Sequence, residues 1–235
     1  MATAPYGTVA LVGAGEYLPT MVEVDKALLD CVGGIPRVAV VPTAAVPDGP
    51  TITERWMRMG VEHFSQLGAR VEPVKLFTRA DADDTLLAAK LADANIIYFS
   101  GGKPRYLLET LQDTIAWQTI KGVFTAGGVV AGCSAGAMVL GNRLFDFPQI
   151  WRTIPALGLV PGIAVIPHFD ELPSLLVSSI GYTTHNVTVV GIDGATALVS
   201  SGSQWRVLGR GSVTVFSKKG KKCYKMGEQV PLASL

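Results

Sequence analysis

Cysteine, long apolar runs and charge are all scarce in this sequence, and each scarcity excludes a class of protein. Only Cys31, Cys133 and Cys223 occur, an odd number at spacings that match no metal site. We therefore expect no disulfide framework and a reducing, cytoplasmic location. No apolar run reaches the roughly 18 residues that a membrane span needs. The first residues also lack the basic cluster and apolar stretch of a signal peptide.

Charged residues make up 17% of the chain and balance to a formal net charge of +1. The one lysine cluster, at residues 218–222, is typical of a solvated hairpin turn, so we expect no nucleic-acid binding. Hydrophobic residues make up 49% of the 235 positions, which is enough for a large core. The length and the hydrophobic content predict a single α/β domain over residues 1–235. The high hydrophobic content also allows for a homodimer interface.

Short apolar runs alternate with stretches of helical spacing over most of the chain. The alternation predicts a three-layer α/β sandwich, with a mainly parallel central sheet and helices on both faces. The predicted strands are Thr8–Val12, Arg37–Val41, Arg70–Phe77, Asn95–Phe99, Gly128–Gly132, Ile163–Ile166 and Val187–Ile192. The predicted helices are Thr51–Leu67, Ala80–Ala92, Pro104–Leu111, Ala135–Arg143 and Pro173–Ile180.

The last forty residues have a different pattern, in which short β-like runs are separated by glycine, serine and lysine. Such runs are typical of hairpins, and we expect them to close one edge of the sheet. They are Thr196–Val199, Gln204–Leu208, Ser212–Phe216 and Lys222–Met226.

A candidate nucleophile lies between a predicted buried strand and a predicted helix, in the pattern Gly132-x-Ser134-x-Gly136. Small flanking residues allow the sharp turn that exposes a serine hydroxyl above a sheet. Cys133 is the competing nucleophile, but its elbow would need glycine at positions 131 and 135, and both are alanine. The register therefore favours Ser134, and the alternative is a tight glycine turn with a capping serine.

The serine needs a base, and His168 is the best placed of three histidines. It directly follows the predicted strand Ile163–Ile166, so it should lie at the same edge of a parallel sheet as Ser134. His63 falls inside a predicted helix, where a surface or structurally satisfied role is expected. His185 precedes a strand, at the opposite end of the sheet.

A third residue, a carboxylate, should orient the imidazole. The candidates on the catalytic edge are Asp146, Asp170, Glu171 and Glu16, and the residues alone do not choose among them.

Glycines near the same edge offer backbone donors for an oxyanion. The N–H of Gly102, after the strand ending at Phe99, could act with that of Ala135, although a plain strand-to-helix turn would have the same spacing. Gly13-Ala14-Gly15 resembles a dinucleotide fingerprint, but the third glycine is replaced by Leu18. No second histidine lies at ligand spacing from His168. We therefore expect neither a nucleotide cofactor nor a catalytic metal.

Together these residues resemble peptidase family S51, which includes dipeptidase E and cyanophycinase. Residues 132–137 are similar to the family's Gly-x-Ser-Ala-Gly-Ala elbow, and further similar segments follow in the family's order at residues 11–16, 97–102, 168–169, 191–198 and 205–215. The resemblance implies a class I glutamine amidotransferase-like fold, a Ser–His pair with an acid, and a small peptide or isopeptide substrate. By position, Asp146 best matches that acid.

Two departures from the family bear on the substrate. Lys103 stands where cyanophycinases often carry glutamine, and residues 170–176 lack the arginines that follow the family's histidine. The resemblance therefore implies the reaction type but not selectivity for an acidic substrate. Gly101, Lys103 and Glu16 remain the expected substrate contacts. Lys103, Arg105 and Arg152 could bind a substrate carboxylate, but a role as surface charges is favoured for each. A non-catalytic binding module on the same scaffold is the alternative function.

Overall fold

The computed structural model describes residues 7–146, 149–173, 177, 180, 187–202, 204–218, 220–232 and 235. Its helices are α1 (Val22–Leu29), α2 (Pro50–Gln66), α3 (Arg79–Ala82), α4 (Thr85–Ala92), α5 (Pro104–Leu111), α6 (Ile115–Thr125) and α7 (Ala135–Leu140). None of these helices has both the length and the apolar character that crossing a bilayer would take.

The first sheet has eight strands and a parallel centre. Its strands are β1 (Thr8–Val12), β2 (Arg37–Val41), β3 (Arg70–Pro73), β4 (Ile96–Phe99), β5 (Val129–Cys133), β10 (Thr196–Ser201), β11 (Gln204–Gly209) and β14 (Gln229–Val230), in the order β14-β11-β10-β1-β5-β4-β2-β3. The five strands β1 to β5 run parallel, and β10, β11 and β14 extend the sheet antiparallel. The predicted parallel centre is confirmed.

The alternation of side chains along the central strands places apolar residues on both faces of this sheet. Val9 and Leu11 face a core shared with α4, α5, α6 and α7, whereas Ala10 and Val12 face a second core formed with α1 and α2. Because every second residue is buried on each side, both faces need a cover of helices. The predicted α/β sandwich is thereby confirmed.

A second sheet of six strands packs beyond α7. Its strands are β6 (Gly141–Asp146), β7 (Gln149–Pro155), β8 (Val160–Ile166), β9 (Thr188–Ile192), β12 (Ser212–Ser217) and β13 (Gly220–Lys225), in the order β13-β12-β9-β8-β6-β7. Two expectations were wrong here. The strands β8 and β9 do not join the first sheet. Only part of the C-terminal run closes its edge, since β12 pairs with β9 and β13 pairs with β12.

Several element boundaries also differ from the sequence prediction. The helix after Ser134 ends at Leu140, and residues 141–146 form β6 instead. The stretch 80–92 is two helices, because Asp84 caps the backbone N–H groups of Leu86 and Leu87 and starts α4 anew. The helices α1 and α6 and the strand β7 were not predicted. Most of the predicted helix Pro173–Ile180 lies outside the described residues.

Candidate active site

Ser134 forms the sharp turn between β5 and α7. Its backbone has φ 49° and ψ −107°, a conformation that is costly for a residue with a side chain. The turn is held because the Ser134 N–H donates to the Val12 carbonyl at 2.9 Å. A Cβ on Gly132 would lie 2.4 Å from the carbonyl carbon of Gly136. The close approach of strand and helix therefore requires glycine at position 132.

His168 reaches the serine from the second sheet. Its Nε2 lies 3.2 Å from the Ser134 Oγ, within hydrogen-bond distance. His168 follows β8 in the left-handed conformation, with φ 50° and ψ 38°, and its side chain is 42% exposed. Ser134 and His168 are thus two non-glycine residues in strained backbone conformations whose side chains are in contact. Such conformations are common at active sites.

The loop that carries His168 is anchored on both sides. The Phe169 ring packs where a side chain at position 191 would lie, since a Cβ on Gly191 would be 2.3 Å from it. The same ring packs edge-on against the Phe216 ring, with the ring centroids 5.7 Å apart. The Asp170 carboxylate accepts from the Gly194 N–H at 2.8 Å. Asp170 therefore fixes the loop rather than contacting the imidazole.

The carboxylate nearest the imidazole is Glu171, not Asp146. The Glu171 Oε1 lies 3.3 Å from the His168 Nδ1, and the Glu171 side chain is 68% exposed. Asp146 ends β6, where its carboxylate lies 2.9 Å from the Arg105 guanidinium and 3.6 Å from that of Arg152. Among the described contacts, the structure thus pairs Asp146 with arginines and does not bring it to the base.

Two backbone donors belong to residues next to the serine: Ala135 follows it in the chain, and Gly102 follows Gly101, on which a Cβ would lie 3.4 Å from the Ser134 Cβ. The N–H groups of Gly102 and Ala135 donate to no acceptor among the described residues, whereas the Gly101 N–H is bound to Glu16. Ala135 is the first residue of α7, so its N–H has no partner inside the helix. An oxyanion on a carbonyl attacked by Ser134 could accept from Gly102 and Ala135.

Comparison with known proteins places these residues in a family. The model of peptidase family S51 matches residues 9–208. The chain belongs to peptidase family S51. This S51 peptidase is 30% identical over 224 residues to a cyanophycinase of Synechococcus elongatus, an alignment that covers 89% of the chain and 67% of the relative. The chain is a serine-type peptidase.

Solved structures agree with the fold of this S51 peptidase. A peptidase from an acI-B1 Actinobacterium is 32% identical, with a TM-score of 0.89 over 98% of each chain. A putative peptidase E protein from Listeria monocytogenes EGD-e is 18% identical, with a TM-score of 0.60 over 94% of this chain and 100% of that one. The second likeness concerns the fold alone.

The expected substrate contacts fall into two groups. Lys103 is exposed beside the site, where its Nζ lies 3.2 Å from the Asp48 carboxylate. Glu16 and Gly101 lie beneath the elbow, because the Glu16 side chain is buried and its Oε1 accepts from the Gly101 N–H at 2.7 Å. The structure therefore shows Glu16 bound to the protein itself rather than open to a substrate.

Sequence reasoning missed a buried hydrogen bond between a histidine and a carboxyl group. The His63 Nε2 lies 2.8 Å from the Asp25 Oδ2, and both side chains are buried. His63 thus has the structurally satisfied role that its helix position indicated, but nothing in the sequence pointed to Asp25. His185 lies outside the described residues. No group of three or more potential metal ligands is found among the residues that are described.

Proposed function

We propose that this peptidase cleaves the amide bond of a small peptide, a dipeptide or an isopeptide, through Ser134, His168 and an acidic residue. The observation that carries the proposal is the 3.2 Å approach of the His168 Nε2 to the Oγ of a serine held in a strained elbow. A non-catalytic module would not need this contact, so the distance counts against the alternative function.

The reaction divides into two half-reactions. The Ser134 Oγ attacks the substrate carbonyl while His168 Nε2 takes its proton, and the Gly102 and Ala135 N–H groups stabilise the oxyanion. His168 then gives the proton to the leaving amine, which leaves an acyl-enzyme. Water, deprotonated by His168, attacks this ester and releases the acid and the free Ser134 hydroxyl.

Glu171 is the acid that the geometry favours. By accepting the Nδ1–H of His168, its carboxylate leaves Nε2 as the proton acceptor and stabilises the imidazolium that forms. Because Glu171 is largely exposed, water screens this interaction, and its contribution should be small.

A fluorophosphonate probe tests the nucleophile, since it phosphonylates an activated serine hydroxyl. We expect one adduct per chain, mapped to Ser134 by mass spectrometry. Ser134→Ala should abolish the adduct and the hydrolysis of dipeptides, isoaspartyl peptides and simple esters in a substrate screen. Ser65→Ala, which changes an exposed serine of α2, is the matched control and should behave like the wild type.

Absence of an adduct on Ser134, together with unchanged hydrolysis by Ser134→Ala, would contradict the proposal.

Variants of the carboxylates in the same assay identify the acid. We expect Glu171→Gln to lower kcat about two- to fivefold. A larger loss in Asp146→Asn than in Glu171→Gln would instead assign the role to Asp146.

A further inference from the structure

A buried carboxylate joins three chain segments directly beneath the serine. Glu16 follows β1 and is only 6% exposed. Its Oε1 accepts from the Gly101 N–H at 2.7 Å, and its Oε2 accepts from the Cys133 thiol at 2.8 Å. One side chain therefore ties the loop after β1 to the turn after β4 and to the end of β5.

The contact with Gly101 is tight. A Cβ on Gly101 would lie 2.7 Å from the Glu16 Oε1 and 3.4 Å from the Ser134 Cβ. On its other side, the glycine turn is fixed because the Lys103 N–H donates to the Ala44 carbonyl at 2.7 Å. The position of Gly102, between these two attachments, thus depends on Glu16.

Glu16 is itself held in place by its neighbour in the chain. Tyr17 takes the left-handed conformation, with φ 64°, and its hydroxyl lies 3.0 Å from the Ser100 Oγ. The Tyr17 ring also packs against those of Phe64 and Tyr98. Rigid surroundings of this kind let a carboxylate fix the groups that it binds.

We infer that Glu16 is a positioning residue, which holds the Gly101–Gly102 turn against the Cys133–Ser134 elbow so that the Gly102 and Ala135 N–H groups converge on one oxyanion. The inference rests on the proposed serine mechanism. It replaces the expected role of Glu16 as a substrate contact with a role beneath the reacting atoms.

The two bonds explain why a carboxylate occupies this position. Both partners of Glu16 are donors, an N–H and an S–H, and a carboxylate offers an acceptor oxygen to each. Burial and the nearby Glu16 raise the pKa of the Cys133 thiol well above its usual value, which keeps the thiol protonated and able to donate. Glutamine has the same shape but one acceptor oxygen, so its NH₂ group would face one of the two donors.

Glu16→Gln is therefore the main test, measured as steady-state hydrolysis of whichever substrate the wild type cleaves. Loss of an oxyanion donor costs about 10²- to 10³-fold in kcat, so its displacement should cost about 10- to 100-fold. KM should change less than about threefold, because the oxyanion contact forms only in the transition state. Asp25→Asn is the matched control, since it also converts a buried carboxylate to an amide but should retain the wild-type kcat.

A tetrahedral adduct of the serine distinguishes a specific loss of oxyanion binding from a general loss of order in the active site. Phenylboronic acid adds reversibly to a serine hydroxyl, and one of its oxygens would occupy the oxyanion site. Its inhibition constant should rise in Glu16→Gln by about the factor lost in kcat/KM, and it should stay unchanged in Asp25→Asn. Equal losses in the two variants, or a change in KM alone, would overturn the inference.

The outcome also separates this inference from the proposed function. A wild type that shows no fluorophosphonate adduct overturns both. A wild type that reacts at Ser134 while Glu16→Gln keeps full turnover overturns only the role of Glu16.

A second pair of variants covers the case in which Glu16→Gln does not fold. Gly101→Ala should lower kcat, because its Cβ would collide with the Glu16 Oε1. Adding Glu16→Asp, which shortens the side chain by one methylene, should restore part of that loss. Purely additive losses in this double-mutant cycle would contradict the direct coupling.

Discussion

Two buried polar atoms near the active site have no hydrogen-bond partner among the described residues, the Asp25 Oδ1 and the Tyr98 hydroxyl. Burial raises the pKa of Asp25, and His63 opposes that shift through its hydrogen bond. The single bond to His63 is thus the main compensation for a carboxylate removed from water. Breaking such a pair leaves an uncompensated buried group.

His63→Ala should therefore lower the free energy of unfolding by about 3 kcal/mol at pH 7. The raised pKa of Asp25 means that the folded state binds its proton more tightly than the unfolded state does. Stability is then greatest below the ordinary Asp pKa and is lost as the pH rises through the raised value. Without His63 this pKa rises further, so the deficit should shrink as the pH falls from 7 to 5.

Urea denaturation at the two pH values measures this deficit. His63→Gln retains an N–H donor for Asp25, so its deficit should be smaller. A deficit in His63→Ala that grows toward pH 5 would contradict the assigned cause.

The segment between β8 and a short 3-10 helix, Phe169–Glu171, decides where the base lies. Because β8 belongs to the second sheet and β5 to the first, the approach of His168 to Ser134 depends on how the sheets pack. Phe169 fixes this geometry by filling the space above Gly191 of β9. A change remote from the elbow can therefore disturb the site.

Gly191→Ala should lower kcat about tenfold or more and destabilise the fold by about 1–3 kcal/mol, because its Cβ would overlap the Phe169 ring. The matched control is Gly122→Ala in α6, where a Cβ meets open space. This control should keep the wild-type kcat and raise stability by about 0.5–1 kcal/mol. Thermal denaturation and turnover measure both effects, and full activity in Gly191→Ala would show that Phe169 does not place His168.

One hydrophobic core connects the two sheets. It includes Leu11 and Val130 of the first sheet, Val165 and Val190 of the second, and buried residues of α7. All six residues of α7 are buried, as expected for a helix with a sheet on either side. The predicted single domain would follow from such a shared core.

If the core is shared, equilibrium unfolding in urea should show one transition, with the same midpoint by tryptophan fluorescence and by far-UV circular dichroism. Three of the four tryptophans, Trp56 of α2, Trp117 of α6 and Trp205 of β11, belong to the first sheet or to the helices packed on it, so the fluorescence reports mainly on that sheet. The dichroism reports on both sheets. Separate midpoints would indicate that the sheets unfold independently and would contradict a single domain.

Features that depend on neighbours in the chain could be predicted from the sequence. The spacing of Gly132, Ser134 and Gly136 identified the elbow and rejected Cys133, because the backbone of a sharp turn is a local property. Apolar runs that alternate with helical stretches likewise predicted the parallel centre of the first sheet, since a short continuous apolar run is visible in a few residues. The position of His168 directly after a strand was predicted in the same way.

Contacts between groups that are distant in the chain depend on the folded structure and could not be predicted. The sequence placed Asp146 near a helix end, but it ends a strand and lies against Arg105 and Arg152. Glu171 and Glu16 were both candidates from the sequence, as carboxylates of the catalytic edge. In the structure, Glu171 lies at the imidazole, whereas Glu16 is buried beneath the serine. Strand pairing and packing between remote segments fix these contacts, and a local pattern carries no information about them.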